Sequence, residues 1–292
     1  MQSPRTTVRP PRWSAALFAG LAAALPLMSP GSAVGQAAPS PATSAGPTYA
    51  DLAVLADGTP LTIRVRVKEQ ANVPAERAPG LAAGSARLYI EAQTLALLAG
   101  SGTLPESLRY LVDVPLDAKG RPPKLKKREF VLFARPVPSR PNEIQLVNPR
   151  AQIAHTPELE ARLRPILAGF AAPDAPPRIT GVRDVLSGAG NLAGESETQI
   201  FLTAAGNAPA ALTVVRRPGM APRWGVSWTE LVDQSARPAQ AETIAWYRLA
   251  CALPRALPPA ANVASDPADR ARAAQDYRFV LEQLGPCTRT AG

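Results

Sequence analysis

The feature that most restricts how this chain can fold is a period of two running through its first half. Leu61, Ile63, Val65 and Val67 alternate with Thr62, Arg64, Arg66 and Lys68, so an extended segment gains one apolar and one polar face, as a half-buried strand does. A second strand is expected from Arg87 to Ala96. Leu108, Tyr110, Val112 and Val114 repeat the alternation until Pro115, which cannot donate to a ladder. Phe130 to Ala134 is apolar without interruption, as a strand covered on both faces would be, and Ile144 to Val147 is a fifth, short strand. Five strands with no helical period between them point to an antiparallel barrel or sandwich rather than a parallel sheet. The strand count favours a five-stranded, partly open OB-like barrel, the shape that binds oligonucleotides and oligosaccharides. Thr156 as N-cap, Pro157 as first helical residue and Glu158 at the dipole's positive end open a helix over 157–170, with Leu159, Leu163, Ile166, Leu167 and Phe170 at helical spacing.

Asp174-Ala-Pro-Pro177 reads as a linker between this first module, residues 48–172, and a second one, residues 178–292. Thr198 to Ala204, Ala211 to Arg216 and Arg223 to Trp228 are expected as a meander of strands, with a further strand near Ile179 to Leu186. Asn207-Ala-Pro209 and Pro218-Gly219 supply the turns. Trp224 and Trp228 share one side of their strand, where they fill either the core or a shallow groove. Two helices close the chain. The first runs from Thr243 to Leu253 and turns Ile244, Tyr247 and Cys251 inward; the second starts at Asp266-Pro267, turns Ala274, Tyr277, Leu281 and Leu284 inward, and stops at Gly285-Pro286. The fold class is therefore α+β: an OB-like barrel with its helix, then a small meander packed with two helices.

At the N-terminus, Arg5, Arg9 and Arg12 precede an apolar run of thirteen residues from Trp13 to Leu25, followed by prolines and small residues. That is the tripartite pattern of a signal peptide over residues 1–37, with cleavage between Gly35 and Ala38. The alternative is an uncleaved anchor, although the run is shorter than the roughly 20 residues a membrane span needs. Residues 38–47 read as a flexible leader rich in Pro, Ala and Ser. No later segment is apolar enough to cross a bilayer, so the exported protein is expected to be soluble and periplasmic, or secreted. An oxidising compartment lets the two cysteines, Cys251 and Cys287, pair as a disulfide rather than remain buried thiols.

Charge is uneven. Residues 48–150 hold fifteen Lys or Arg against ten Asp or Glu, whereas residues 151–292 hold fourteen against thirteen. Six of the basic residues, Lys119, Arg121, Lys124, Lys126, Lys127 and Arg128, fall within ten positions between the third and fourth strands. They form either a solvated loop or a cationic patch for anionic lipid head groups, acidic glycans or an envelope protein. Nucleic acid is disfavoured, because export removes the protein from it and Tyr89, Tyr110 and Phe133 fit strand cores as well as stacking platforms.

The inventory of reactive groups is narrow. His155 is the only histidine, so multi-histidine metal sites are impossible, and its place ahead of the Thr156 cap suggests a surface or capping role. The sequence contains neither a nucleophile elbow nor a phosphate-binding loop, and it calls for no cofactor. Glu195 and Glu197 are the best carboxylate pair: a spacing of two at a strand start would direct both to one side, as the residues an envelope-polymer hydrolase would use.

The stretches "RPPKLKK" (121–127), "YRLACALPRALPP" (247–259) and "DYRFVLEQLGPC" (276–287) resemble a group of exported alphaproteobacterial proteins without an assigned activity. That resemblance implies export and two modules, and it carries no catalytic residues over. The sequence thus leads to a non-catalytic binding module, with an envelope hydrolase or a structural partner of an envelope complex as alternatives.

Overall fold

The computed structural model describes residues 46–229 and 236–290, so the signal peptide and nearly all of the leader expected from the sequence lie outside the described residues. The described residues form one compact unit. The fold mixes helices with two antiparallel sheets: helix α1 (Tyr49–Ala56), strands β1 (Leu61–Asn72), β2 (Ser85–Ala99), β3 (Ser107–Pro115), β4 (Glu129–Pro136), β5 (Ile144–Leu146) and β6 (Gln152–Ala154), helix α2 (Pro157–Ala171), strands β7 (Ile179–Ala189), β8 (Ser196–Ala204), β9 (Ala211–Arg216) and β10 (Arg223–Ser227), and helices α3 (Ile244–Ala250) and α4 (Pro267–Leu284).

The first sheet has the order β3-β2-β1-β4-β5, with β6 also paired to β4. Ile63, Val65, Leu88, Ile90, Leu108 and Tyr110 are buried, so the period-two faces point where their hydropathy requires. Phe130 to Ala134 is buried throughout, as an unbroken apolar run must be. One strand more than expected is present. A turn in which Ala151 donates to the Asn148 carbonyl brings Gln152–Ala154 back alongside β4, so two short strands share the edge of one long strand. The sheet is not a closed barrel. Among the described residues its edges meet at a parallel bridge between Arg109 and Glu143, at the backbone bonds Arg109 N to Asn142 O (2.8 Å) and Asp113 N to Pro149 O (2.7 Å), and at Tyr110 Oη to Gln152 Oε1 (2.6 Å).

The second sheet is the meander β10-β9-β8-β7, and the strand near Ile179 is present in full. Helix α4 lies on β7 and β8. Its buried face is Ala273, Asp276, Tyr277, Val280 and Leu284, so the stripe sits slightly to one side of the expected one and takes in a carboxylate. Asp276 is fully buried and is satisfied by Thr198 Oγ1 at 2.6 Å and Arg216 Nε at 2.7 Å. Helix α3 ends at Ala250 with Cys251 as its cap, short of the expected Thr243 to Leu253, although Leu253 N still donates to Leu249 O at 2.9 Å in a last helical turn.

Helix α1 was not anticipated. Its signal is the capping box of Thr48 and Asp51, each side chain accepting from the other's backbone N–H. It packs against α2 and α3, where Tyr49 meets Trp246 edge-on at 6.0 Å, and Phe170 of α2 meets Tyr247 in the same way at 5.9 Å. Cys251 and Cys287 form the expected disulfide, with their Cα atoms 5.1 Å apart. Trp246 Nε1 donates to the Leu284 carbonyl at 2.7 Å, so α3 and α4 are joined by both a covalent and a hydrogen-bonded contact. Among the described residues, no helix is long and apolar enough to cross a membrane.

Candidate functional site

The basic loop between β3 and β4 is held to the sheet rather than hanging from it. Leu125 is buried, and the Gln70 amide clasps the loop at two points, accepting from Leu125 N at 2.5 Å and donating to Pro123 O at 3.0 Å. Lys127 N donates to Val67 O at 2.8 Å with the residue in the left-handed region (φ 68°), which turns the chain into β4. The six cations do not act as one group. Arg121 grips Asp117 through two nitrogens at 3.1 and 3.0 Å, and Lys126 meets Glu69 at 2.7 Å. Arg128 lies over the Phe130 ring at 5.4 Å. Lys119, Lys124 and Lys127 are exposed and have no carboxylate within salt-bridge distance among the described residues. None of the six lines either of the two cavities described below.

A cationic concavity forms elsewhere on the first sheet. The outward faces of β2 and β3 and the segment from Arg135 to Pro149 enclose a groove of about 620 Å³. Its floor is the cross-strand pair Tyr89 and Leu111, which are 41% and 47% exposed. Its walls carry four arginines, Arg87, Arg109, Arg135 and Arg140, against Asp113 and Glu143. Arg87 is bound two-pronged to Asp113 at 2.7 and 2.9 Å, and Arg140 to Glu143 at 3.0 Å. Arg109 reaches Glu91 only at 4.0 Å, and Arg135 has no ion-pair partner among the described residues. Two guanidinium groups are therefore left to face a ligand above an apolar, partly aromatic floor. Sequence reasoning missed this site because its arginines are scattered over more than fifty positions. The available signal was Tyr89 and Leu111, apolar residues on the polar phase of their strands.

Strand addition is blocked at this groove. Main-chain N–H groups on one edge of a strand belong to alternate residues, and those of Arg109 and Asp113 are already bonded to Asn142 and Pro149.

His155 is not the surface group its position suggested. Its side chain is only 11% exposed, Nε2 lies 2.8 Å from Oε2 of Glu160, and Nδ1 lies 3.7 Å from Glu129. Arg64 joins the same two carboxylates, and Arg164 pairs with Glu160. Hydrogen bonding from His155, reinforced by Arg164 and Arg64 against the opposing effect of burial, lowers the Glu160 pKa from 4.5 to about 2. This cluster ties α2 to β1 and β4.

Glu195 and Glu197 line one cleft on the second sheet, but they are not equivalent. Glu195 precedes the strand start at Ser196 and folds back over Gly190, where a Cβ would stand 2.4 Å from its Cγ. Its carboxylate accepts from Leu192 N at 3.3 Å. Trp224 is buried, so it fills the core rather than a groove. Among the described residues, no group of three His, Cys, Asp or Glu is placed to hold a metal ion. Comparison with known proteins finds no matching family model and no matching curated protein.

Proposed function

We propose that this protein is a non-catalytic binding module of the periplasm or extracellular space. In this reading, the arginine-walled groove on β2 and β3 takes an anionic envelope component, and the loop at 119–128 adds long-range attraction. The observation that carries the proposal is the pair of incompletely neutralised guanidiniums, Arg109 and Arg135, above the exposed Tyr89 and Leu111. Guanidinium forks suit carboxylate and phosphate oxygens, and an exposed ring suits the apolar face of a sugar or acyl segment.

The strand order, the antiparallel pairing throughout and the single parallel bridge from β3 to Glu143 support reading the first sheet as a partly open OB-like barrel. In that shape the face of the second and third strands, with the loop between the fourth and fifth, is the ligand-binding surface. The disulfide and the signal-like leader support export, as does the resemblance to exported alphaproteobacterial proteins. The hydrolase reading has less support, because Glu195 is occupied by its own hairpin.

The test is retention of the protein on polygalacturonate, on phosphatidylglycerol vesicles and on neutral dextran across a salt series. Binding to at least one anionic phase and not to dextran is expected. An Arg109→Gln, Arg135→Gln double variant should weaken it about tenfold, as loss of charge-assisted contacts implies. Replacing Lys124, Lys126, Lys127 and Arg128 by glutamine should mainly flatten the salt dependence. Equal retention on all three phases, or no loss in the double variant, overturns the assignment.

A further inference from the structure

The second sheet carries a concavity of different character, independent of the arginine groove. A cleft of about 530 Å³ lies between the β7–β8 and β9–β10 hairpins. Which side of the sheet it occupies follows from strand alternation. Thr198 and Arg216 both reach Asp276 of α4, so they point to the helix-covered side, and Glu197 and Val215 must point to the opposite one. Glu197 of β8 and Arg223 of β10 are each the register partner of Val215 on the strand between them. Their Cα atoms are thus two strand spacings apart, roughly 9.5 Å, across an apolar floor.

The two walls are opposite in sign and are not neutralised by each other. Glu195 and Glu197 stand on one side, Arg217 and Arg223 on the other, and no ion pair joins them among the described residues. Among the described residues Glu197 accepts from Gln199 Nε2, at 3.0 Å, and Glu195 from its own hairpin. Arg217 and Arg223 have no carboxylate partner among the described residues. A concavity with an acidic wall, a basic wall and Val215 between them matches a molecule with an ammonium at one end, a carboxylate at the other and a small apolar middle. The cleft exposes no aromatic ring for a sugar, since Trp224 is buried. Its volume falls in the lower part of the range for small-ligand sites, of the order of 300 to 1,000 Å³.

We infer that this cleft binds a short zwitterionic peptide, a di- or tripeptide with small side chains. Its amino terminus faces Glu197 and its carboxylate faces Arg223 and Arg217. Both termini are captured by charge-assisted hydrogen bonds, the strongest class of polar contact available at such a site.

The experiment uses the full protein and three probes: trialanine, N-acetyl-trialanine and trialanine amide. Backbone amide shifts of Glu197, Thr213, Val215 and Gly225 are followed by NMR, which locates the site as well as the affinity. Trialanine is expected to bind about tenfold more tightly than either blocked form, because each block removes one charged contact. Glu197→Gln should abolish the discrimination against the acetylated probe and keep that against the amide. An Arg217→Gln, Arg223→Gln double variant should do the reverse. Arg217 and Arg223 are exposed and Glu197 is half-buried on the face away from α4, and thermal unfolding of each variant confirms that it folds. No shift at these residues with trialanine at about 10 mM, an affinity too weak to matter, overturns the inference. So does equal binding of all three probes. Shifts confined to Tyr89 and Leu111 would assign the peptide to the other groove and overturn this site alone.

Discussion

Arg248 on α3 holds Asp57, just past α1, in a two-point ion pair of 2.6 and 3.0 Å that spans 191 residues of chain. Both side chains are about nine-tenths buried. Each of the three guanidinium nitrogens has a partner: Nε donates to Pro176 O at 3.0 Å, and the plane lies over the Phe170 ring at 5.0 Å. Arg178 adds a second cation at 3.0 Å from Asp57. Burial alone would raise the Asp57 pKa, but the hydrogen bonds and charges of Arg248 and Arg178 outweigh it and lower it. The pair ties the start of the first sheet to the helices that follow the second.

Removing one member of that pair should be costly. Arg248→Ala leaves a buried carboxylate with only Arg178, and chemical denaturation should show a loss of about 3 kcal/mol, the size expected for breaking a buried ion pair. Arg248→Lys keeps the charge but loses the fork, so it should fall between the alanine variant and the native protein. A change below about 0.5 kcal/mol in the alanine variant, the scatter of ordinary surface substitutions, would show that the contact contributes nothing.

Acid should loosen the attachment of α2. Glu160 has its pKa lowered by His155, Arg164 and Arg64 from 4.5 to about 2. A depressed folded-state pKa contributes stability that is complete above the unfolded value and is lost as pH falls through the folded one. Stability should therefore decline from about pH 4.5 towards pH 2, with Asp57 and Asp51, whose pKa values are also lowered, acting in the same direction. In a carboxyl NMR titration, His155→Phe should move the Glu160 midpoint upward while Arg64 and Arg164 keep it below 4.5. A native midpoint at the ordinary value would remove this explanation.

Reduction should destabilise the end of the chain first. Cys251 and Cys287 close a loop with a sequence separation of 36, for which the chain-entropy model gives about 3 to 4 kcal/mol. Thermal unfolding with and without a thiol reductant measures this loss. A Cys251→Ser, Cys287→Ser double variant should match the reduced protein and be insensitive to the reductant.

The basic loop should become a protease target when its clasp is cut. Gln70→Ala removes both bonds that pin Pro123 and Leu125. Trypsin should then cleave after Lys124, Lys126 or Lys127 faster than in the native protein, while global unfolding shifts little, because the affected residues lie at the sheet's periphery. Unchanged cleavage would mean that the Gln70 clasp is dispensable and that Leu125 burial and the Lys127 N to Val67 O bond hold the loop.

Much of the architecture was legible along the chain. Alternation at Leu61 to Lys68 and Leu108 to Val114, the cap at Thr156-Pro157 and the stop at Gly285-Pro286 each report on neighbours within a few residues, where hydropathy and backbone preference decide. Even α1 had a local signal in Thr48 and Asp51. The basic cluster was equally legible as composition, but composition does not say where the charge goes. Glu69 and Asp117 take up Lys126 and Arg121, and only the packed loop brings Glu69 there. Likewise, nothing along the chain marks Asp276 as buried: the groups that satisfy it, Thr198 and Arg216, lie some 60 to 80 positions away.

By itself the sequence determined most of the strands and helices, their antiparallel class and the two cysteines available for one covalent tie, because these depend on periodicity and caps within a single segment. Tertiary structure alone decided that the edges of the first sheet touch at Arg109 and Glu143 without closing a barrel, that four distant arginines wall one groove and that Glu197 and Arg223 face each other across Val215. The physical reason is range. A side chain's immediate neighbours set its local conformation, whereas a site is made by strand register and packing between residues that chain order leaves far apart.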